Sequence, residues 1–362
     1  MLITTRKQIE DLNHILKFTD DEIAALADTA AAINADENLR HYAELAYDKL
    51  YVQRLHNIWE GIPESVGGYA NNLFWDIVYI SGLPVAIEYY NAHDIPLDIL
   101  SASVQDMPLW MRFYNRKNGV IGQEAAPWMW WSFGARLFRL GRLQFAPEAF
   151  ESDVEVYKHN TTGAVVTVAM SGVEIRFDGR RNGYDTLYDH SAKRTTYYKG
   201  IDKLTAHVVN ADATIQPKPT NFDLAEYTCV LRKGDPILAM HIPQGEPMNH
   251  ADCQASFEQA KAFFPQKLGY EFKAYTCWSW LLDSSWTDLL EPKSNIRLFS
   301  ERFTRVPIAG VQPNGAIKYF VFKDWGADLS QMQGETSLEK LILGKIAEGH
   351  GFREMSGFIL ND

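Results

Sequence analysis

The stretch AMHIPQGEPMNHADCQASFEQAKAFF (239–264) decides the fold class. An apolar run ends at Pro243, a polar turn over residues 244–249 follows, and a helical pattern begins near His250. A helix that follows such a turn directs its unpaired N–H groups and the positive end of its dipole at the turn. Phosphate groups bind at such positions without a basic side chain. The stretch therefore predicts a strand–turn–helix unit with a candidate diphosphate site.

The composition indicates a globular protein with an acidic balance. The chain has 362 residues, of which 46% are hydrophobic and 22% charged, and this length favours two domains. The formal net charge of −11 argues against nucleic acid as a partner, because binding to a duplex needs a basic face.

The cysteines and the hydropathy pattern bear on the compartment. Cys229, Cys253 and Cys277 are odd in number and widely spaced, so they form no disulfide framework and favour a reducing compartment. The first residues lack the pattern of a signal peptide, and no apolar run reaches the ~18 residues of a membrane span. The sequence predicts a cytoplasmic protein without a membrane partner.

The residue pattern changes character near position 140. Helical spacing dominates residues 1–140, where Thr19 and Glu22 form a capping-box pattern and a helix is predicted over 125–139. The remainder, 141–362, contains a β-rich insertion at about 150–225 with period-two alternation. Strands and helices alternate after it, with two late strands predicted near 305–308 and 318–322. The predicted fold class is α+β, with a helical N-terminal domain and a mixed-sheet C-terminal domain.

Four phrases carry a resemblance to a known family. They are GRLQF (141–145), HIPQGEPMNHADCQASFEQAKAFF (241–264), CWSWLLDSSWTDLLEPKSNIRLF (277–299) and TSLEKLILGKIAEGHGFREMSGFIL (336–360). The chain resembles a bacterial acyltransferase family that joins a helical N-acyltransferase domain to a GNAT-like C-terminal domain. The resemblance implies a GNAT-like mixed sheet flanked by helices.

The resemblance also implies acyl-CoA, with acetyl-CoA as the simplest case, as cosubstrate. In that family the cofactor diphosphate lies on the loop after the fourth strand, and the pantetheine lies where the fourth and fifth strands part. The acceptor is then a small molecule, with an amine as one candidate. Carried onto this sequence, the cofactor contacts are Ile242, Gln244, Gly245, Met248, Asn249, His250 and Asn295.

Two positions depart from the pattern of better-known GNAT enzymes. Pro247 has no N–H and removes one donor from the phosphate loop. Many of those enzymes place a tyrosine in the helix after the fifth strand, where it protonates the departing thiolate. In this chain that helix carries Phe299 and Phe303 instead.

Acyl transfer from a thioester needs a proton acceptor for the nucleophile and polarisation of the carbonyl. His241, at the predicted strand end, is the first candidate base, and Glu246 in the loop is the second. Cys277 and Ser279 share a strand face and can hydrogen-bond the leaving thiolate, whereas Trp278 and Trp280 on the opposite face are expected in the core. Three of these residues also have a structural interpretation: His241 as a packed histidine, Glu246 as a solvated carboxylate and Cys277 as a small buried thiol.

Three alternatives stay open from the residues alone. The spacing of His241, His250 and Cys253 does not match a paired zinc motif, so no metal is predicted. Cys277 paired with His241 would make a thiol-dependent hydrolase, and loss of the chemistry would leave a non-catalytic ligand-binding protein. The run WMWW (128–131) suits either core packing or a platform for an apolar ligand.

Overall fold

A computed structural model of the chain describes residues 2, 5–55, 57–67, 73–324 and 326–362. The chain divides into two compact units. The first comprises Met1–Ala146, His241–Glu246 and Ala255–Tyr270, and the second comprises Pro147–Met240, Pro247–Gln254 and Glu271–Asp362. The described N-terminal region is helical and the C-terminal region carries mixed sheet and helices, so the predicted α+β class is confirmed.

The N-terminal helices are short and lie close together along the chain. They are α1 (Arg6–Leu16), α2 (Asp20–Ala35), α3 (Glu37–Tyr47), α4 (Glu64–Gly67), α5 (Phe74–Ser81), α6 (Leu83–Ala92), α7 (Leu97–Ser103), α8 (Asp106–Asn118) and α9 (Ala126–Phe133). A hairpin follows, formed by β1 (Phe138–Leu140) and the start of β2 (Leu143–Ala149).

The ends of two N-terminal helices illustrate what local sequence determines. The capping box predicted at α2 is present, because the Thr19 side chain accepts from Glu22 N and the Glu22 side chain accepts from Thr19 N. The helix predicted over 125–139 is shorter than expected. It ends at Phe133, Ala135 adopts a positive φ of 52°, and the chain then enters β1.

Half of the WMWW run is buried in the first unit. Met129 and Trp130 are buried, and Trp130 Nε1 donates to the carbonyl of Leu55 at 3.1 Å. Arg136 stacks on the same indole, 4.2 Å from its centroid. Trp128 is only half-buried and takes part in the site described below.

The described part of the second unit contains two main sheets and a small two-stranded one. The β-rich part consists of β3 (Val154–His159), β4 (Val165–Ala169), β5 (Glu174–Ile175), β6 (Lys193–Arg194), β7 (Tyr197–Lys199), β8 (Lys203–Val208), β9 (Thr220–Asp223) and β10 (Tyr227–Leu231). Its main sheet has the order β10-β3-β4-β8-β7, β9 pairs with β8, and β5 pairs with β6. All of these pairs are antiparallel.

The other sheet is mixed and holds the strand of the opening stretch. Its strands in this unit are β11 (Pro236–His241), β12 (Ala274–Ser279), β13 (Thr304–Val306) and β14 (Met355–Leu360), ordered β11-β12-β14-β13. The β11–β12 pair is parallel, because the crossover through α10 (His250–Leu268) returns the chain in the same direction. Strand β14 runs antiparallel to both its neighbours.

One apolar core joins the two sheets of the second unit. Val154 and Val156 from β3 pack in the same buried cluster as Ile237 of β11 and Ala274 of β12. Phe150 and Phe358 meet there at 6.3 Å between ring centroids, nearly perpendicular to each other. The shorter helices α11 (Trp286–Leu289), α12 (Asn295–Ser300) and α13 (Ser337–Ala347) complete the unit. No helix among the described residues is long and apolar enough to span a bilayer.

Two sequence expectations in this region are wrong. The segment expected as a strand near 318–322 is a π-helical turn over Ile317–Val321, with Ile317 and Val321 on the buried cluster around Trp286. Trp278 was expected in the core, yet its exposure is 61%. Strand β12 ends one residue later, so alternation no longer places Trp278 and Trp280 on one strand face.

Candidate functional site

Residues 244–249 connect the end of β11 to the first turn of α10. Gly245 has a φ of +112°, and a Cβ there would meet no atom of the described chain within 4 Å. Backbone conformation, not crowding, therefore requires glycine. Cys253 N donates to Asn249 O at 3.0 Å, so Asn249 immediately precedes the helical ladder. The first N–H groups of α10 lack helical acceptors, as at any helix start, and can serve an anionic ligand.

A buried arginine holds this loop in place. Arg142 donates from Nη1 to Pro243 O at 2.8 Å and from Nη2 to Glu246 O at 2.7 Å. Its backbone N–H donates to Ser256 Oγ in α10 at 2.8 Å. Arg142 thus fixes both ends of the loop segment 243–246 and ties it to the helix. Sequence reasoning missed this role; the available signal was an arginine next to buried apolar residues.

Gly141 explains the start of the GRLQF phrase. Its φ is +66°, and an added Cβ would lie 2.9 Å from Ser256 Oγ. Both the dihedral angle and the close approach of α10 exclude a larger residue without movement. Glycine at position 141 therefore allows the β1–β2 turn to pack closely against α10.

Glu246, the second candidate base, lies in solvent. Its side chain is 63% exposed and forms an ion pair with Arg139 Nη2 at 3.0 Å. The desolvated environment that would suit a general base is not found here. The neighbouring candidates differ in exposure: Ile242, Gln244 and Met248 are half-buried, and Asn249 and His250 are exposed.

His241, the first candidate base, closes β11 in a partly buried setting. Its ring meets the ring of Trp128 edge-on, with centroids 4.9 Å apart and an interplanar angle of 69°. Its Nε2 is buried and has no hydrogen-bond partner among the described residues. Burial lowers the pKa of His241 to about 4, because desolvation penalises the imidazolium. The imidazole is therefore neutral at pH 7.

A polar network lies behind Trp128. Asp106 is buried, and its Oδ2 accepts from Trp128 Nε1 at 2.6 Å and from Gln144 Nε2 at 3.0 Å. Burial raises the pKa of Asp106, and the two hydrogen bonds oppose that rise. Neither Asp106 nor Gln144 was a sequence candidate, since their relation to His241 arises only through the fold.

Strands β11 and β12 part near the loop. Their pairing runs from Ile237 opposite Ala274 to Ala239 opposite Thr276. Beyond that pair β11 continues to His241 and β12 to Ser279, without further register between them in the described chain. Main-chain groups at a parted pair of strands can bind an extended ligand, as in strand addition.

His250 begins α10 and contacts an arginine that sequence reasoning also missed. Arg302 donates from Nη2 to His250 Nδ1 at 2.8 Å and to His250 O at 3.0 Å, and from Nη1 to Gln254 Oε1 at 2.7 Å. A guanidinium at the positive end of a helix is electrostatically unfavourable in isolation. Its placement fits a helix start that receives an anion.

Cys277 is a buried thiol in this fold. It is 4% exposed, and burial raises its pKa well above the ordinary value, with the Glu354 carboxylate adding to the rise. A thiol-dependent mechanism needs the thiolate, so this environment gives that reading no support.

Ser279 and Asn295 occupy the ends of elements in the second unit. Ser279 Oγ accepts from Leu281 N at 3.1 Å and caps a short 3₁₀ turn. Asn295 is exposed and is the first residue of α12. Their roles toward a cofactor stay predictions. Within the described ranges, no group of three or more His, Cys, Asp or Glu side chains is placed to hold a metal ion.

We predict that the three cysteines are alkylated at different rates in the native protein. Cys229 is half-buried, whereas Cys253 and Cys277 are buried. Iodoacetamide at pH 8 should label Cys229 first, and peptide mass spectrometry of the native protein should show Cys277 unmodified until unfolding. Rapid labelling of Cys277 in the native state would support a thiol-dependent mechanism.

Two family models cover most of the chain. Residues 137–359 match the GNAT-like C-terminal domain, and residues 7–135 match the N-acyltransferase N-terminal domain. A comparison with curated proteins gives no match.

Solved structures show the same fold at low identity. An acyltransferase mutant in complex with octanoyl-CoA superposes with a TM-score of 0.68 at 17% identity, over 99% of this chain and 89% of that chain. An acyltransferase in complex with decanoyl-CoA and teicoplanin gives 0.67 at 17%, over 100% and 90%. An acyltransferase in complex with decanoyl-CoA gives 0.65 at 20%, over 99% and 89%.

Proposed function

Because this chain belongs to the family defined by a GNAT-like C-terminal domain, here preceded by an N-acyltransferase N-terminal domain, we propose that it transfers an acyl group from acyl-CoA to a small-molecule acceptor. The observation that carries the proposal is the loop between β11 and α10, which follows a strand that parts from its neighbour. Arg142 fixes the segment 243–246 of this loop through two main-chain carbonyls.

The cofactor's charged and extended parts have separate candidate contacts. The main-chain N–H groups of Gly245, Met248 and Asn249, with those of His250 and Ala251 at the start of α10, offer donors to a diphosphate. Pro247 contributes none, which leaves the helix start as the main source. The parted ends of β11 and β12 offer main-chain groups to the amide-bearing pantetheine arm.

His241 is the proposed general base. Its neutral, buried Nε2 accepts a proton from the attacking group and returns it to the departing thiolate sulfur. This cycle supplies the acid that the missing helix tyrosine would otherwise provide. We propose no metal in the reaction.

A binding assay tests the proposal directly. Thermal unfolding with CoA, acetyl-CoA and decanoyl-CoA should show stabilisation of about 2.7 kcal/mol at a hundredfold excess over the dissociation constant. Octanoyl- and decanoyl-CoA occur in the similar structures, so the chain-length series decides whether acetyl-CoA is also a cosubstrate. Release of CoA thiol with a suitable acceptor identifies an enzyme, and binding without release identifies a ligand-binding protein. No shift with any acyl-CoA would overturn the proposal.

The depressed pKa of His241 predicts a pH dependence of stability. Its folded-state pKa of about 4 lies below the ordinary 6.5, so the unfolded chain binds the proton more tightly. Stability is therefore lost as pH falls from about 6.5 toward 4. At pH 5 this costs about 2 kcal/mol relative to pH 7.5. Urea unfolding of wild type and His241→Gln at both pH values should show the variant losing less stability; equal losses would contradict the assignment.

A further inference from the structure

Trp278 is a large apolar side chain exposed on an interior strand of the mixed sheet. Strand β12 lies between β11 and β14, yet Trp278 is 61% exposed. Within the part of the chain that the structure describes, its indole has no hydrogen bond, ring contact or cationic partner. Tryptophan side chains are highly buried on average, so this exposure calls for an explanation.

The exposure follows one face of β12. Ala274, Thr276 and Trp278 share that face by alternation, and they change from buried through half-buried to exposed along the strand. Tyr275 and Cys277 on the other face are both 4% exposed. The strand therefore opens to solvent on one face only, and it does so toward its carboxyl end.

The neighbouring strands leave the indole uncovered. On β14 the residue opposite Trp278 is Ser356, whose side chain is too small to cover an indole. On β11 the register with β12 ends at the pair of Ala239 and Thr276, so no residue of the described β11 strand is paired with Trp278. Trp278 lies two residues beyond that last pair, which is roughly 6–7 Å along the strand.

The start of α10 fixes the direction in which the proposed cosubstrate lies on this face. Residues 247–254, which include the first turn of α10, belong to the same unit as β12 and residues 236–240 of β11. In the proposed function the diphosphate binds at this helix start. The thioester is at the other end of the pantetheine arm and so reaches the point where the strands meet. The arm must then pass the parted segment of β12 that carries Trp278.

We propose that the indole of Trp278 packs against the pantetheine arm of acyl-CoA and holds it along the parted edge of β12. The inference rests on the proposed acyl transfer and assigns a binding residue for its cosubstrate. An indole has a wide apolar face and a single N–H donor, and the arm has methylene and methyl groups between amide carbonyls. Binding also buries the apolar surface that the free protein exposes.

The affinity test compares CoA with adenosine 3′-phosphate 5′-diphosphate, a nucleotide that keeps the phosphates and lacks the arm. We expect Trp278→Ala to raise the Kd for CoA and for decanoyl-CoA about tenfold or more, as loss of a large apolar contact predicts. The Kd for the nucleotide should stay within about twofold. Trp278→Phe keeps a ring and loses the N–H donor, so its Kd for CoA should fall between. Isothermal titration calorimetry measures all three ligands.

Tyr198→Ala is the matched control for removal of an exposed aromatic side chain. Tyr198 is 68% exposed on β7, in the other main sheet, so its loss should leave every Kd unchanged. Since Trp278 is also exposed in the free protein, Trp278→Ala leaves no cavity and should unfold at the wild-type temperature.

Oxidation of the wild-type protein gives a readout that needs no variant. N-bromosuccinimide should oxidise Trp278 before Trp286, which is fully buried. Saturating CoA should remove most of the reactivity of Trp278, whereas the nucleotide without the arm should not. Peptide mass spectrometry measures the oxidation of each tryptophan.

An equal loss of affinity for CoA and the nucleotide in Trp278→Ala, or no loss for either, would overturn the inference. So would a loss confined to decanoyl-CoA, which would place the ring on the acyl chain. Oxidation of Trp278 that saturating CoA does not slow would also overturn it and leave the proposed function standing. A wild type that binds neither CoA nor any acyl-CoA refutes the proposed function itself.

Discussion

His241→Gln lowers kcat/KM for acyl transfer by roughly 10²–10⁴, the range expected when a general base is removed. The substitution removes the buried Nε2 that is neutral at pH 7 and keeps a polar side chain of similar reach. Because the loop and the start of α10 are unaltered, the Kd for acyl-CoA should stay within about threefold. Single-turnover thiol release with a saturating amine measures the chemical step directly.

His14→Gln is the matched control. His14 is exposed on α1, where its Nδ1 lies 3.0 Å from Asp11 O, and it takes no part in the site. Its activity should equal that of wild type. A loss of less than about threefold in His241→Gln would mean that another group removes the proton, and the base assignment would fall.

Arg142→Met destabilises the protein by about 2–4 kcal/mol, since buried main-chain carbonyls lose a charged donor. The variant also weakens acyl-CoA binding, because the loop 243–246 is no longer fixed against α10. Urea unfolding gives the first quantity and thermal-shift titration with CoA the second. Arg142→Lys should fall between, since an ammonium cannot reproduce the fork that reaches two carbonyls.

Arg139→Met provides the comparison for this result. Arg139 lies on the neighbouring strand and pairs with the exposed Glu246 carboxylate rather than with the loop backbone. A pair whose carboxylate lies in solvent contributes about 0–1 kcal/mol. If Arg142→Met and Arg139→Met weaken acyl-CoA binding equally, positive charge near the loop matters more than the hydrogen bonds to its backbone. The role assigned to Arg142 would then be wrong.

The strand–turn–helix unit could be read from the sequence because its signals are local. The apolar run, the turn with Gly245 and the helical pattern lie within one short stretch, and His241 follows from its place at the strand end. The two hydrogen bonds by which Arg142 fixes the loop could not be predicted from the sequence in this way. Arg142 donates to carbonyls 101 and 104 positions away in the sequence. Because every residue has a main-chain carbonyl, the side chains of the accepting residues do not indicate this contact.

The errors came from segments where tertiary packing overrides a local pattern. IKYFV (317–321) is rich in β-branched and aromatic residues, which favours a strand. Ile317 and Val321 instead lie one helical turn apart and meet Trp286, Ile342 and Phe352 in one cluster. Packing against these side chains decides the conformation, and residues distant in sequence supply them.

The apolar core common to both sheets of the second unit limits how the protein can be dissected. Phe150, Val154 and Val156 cover Ile237 and Phe358, so excising the β-rich segment would expose the hydrophobic face of β11 and β14 to water. A minimal catalytic fragment made by such a deletion would aggregate rather than fold. The segment is thus part of the folding unit, and truncation studies should keep residues 147–362 intact.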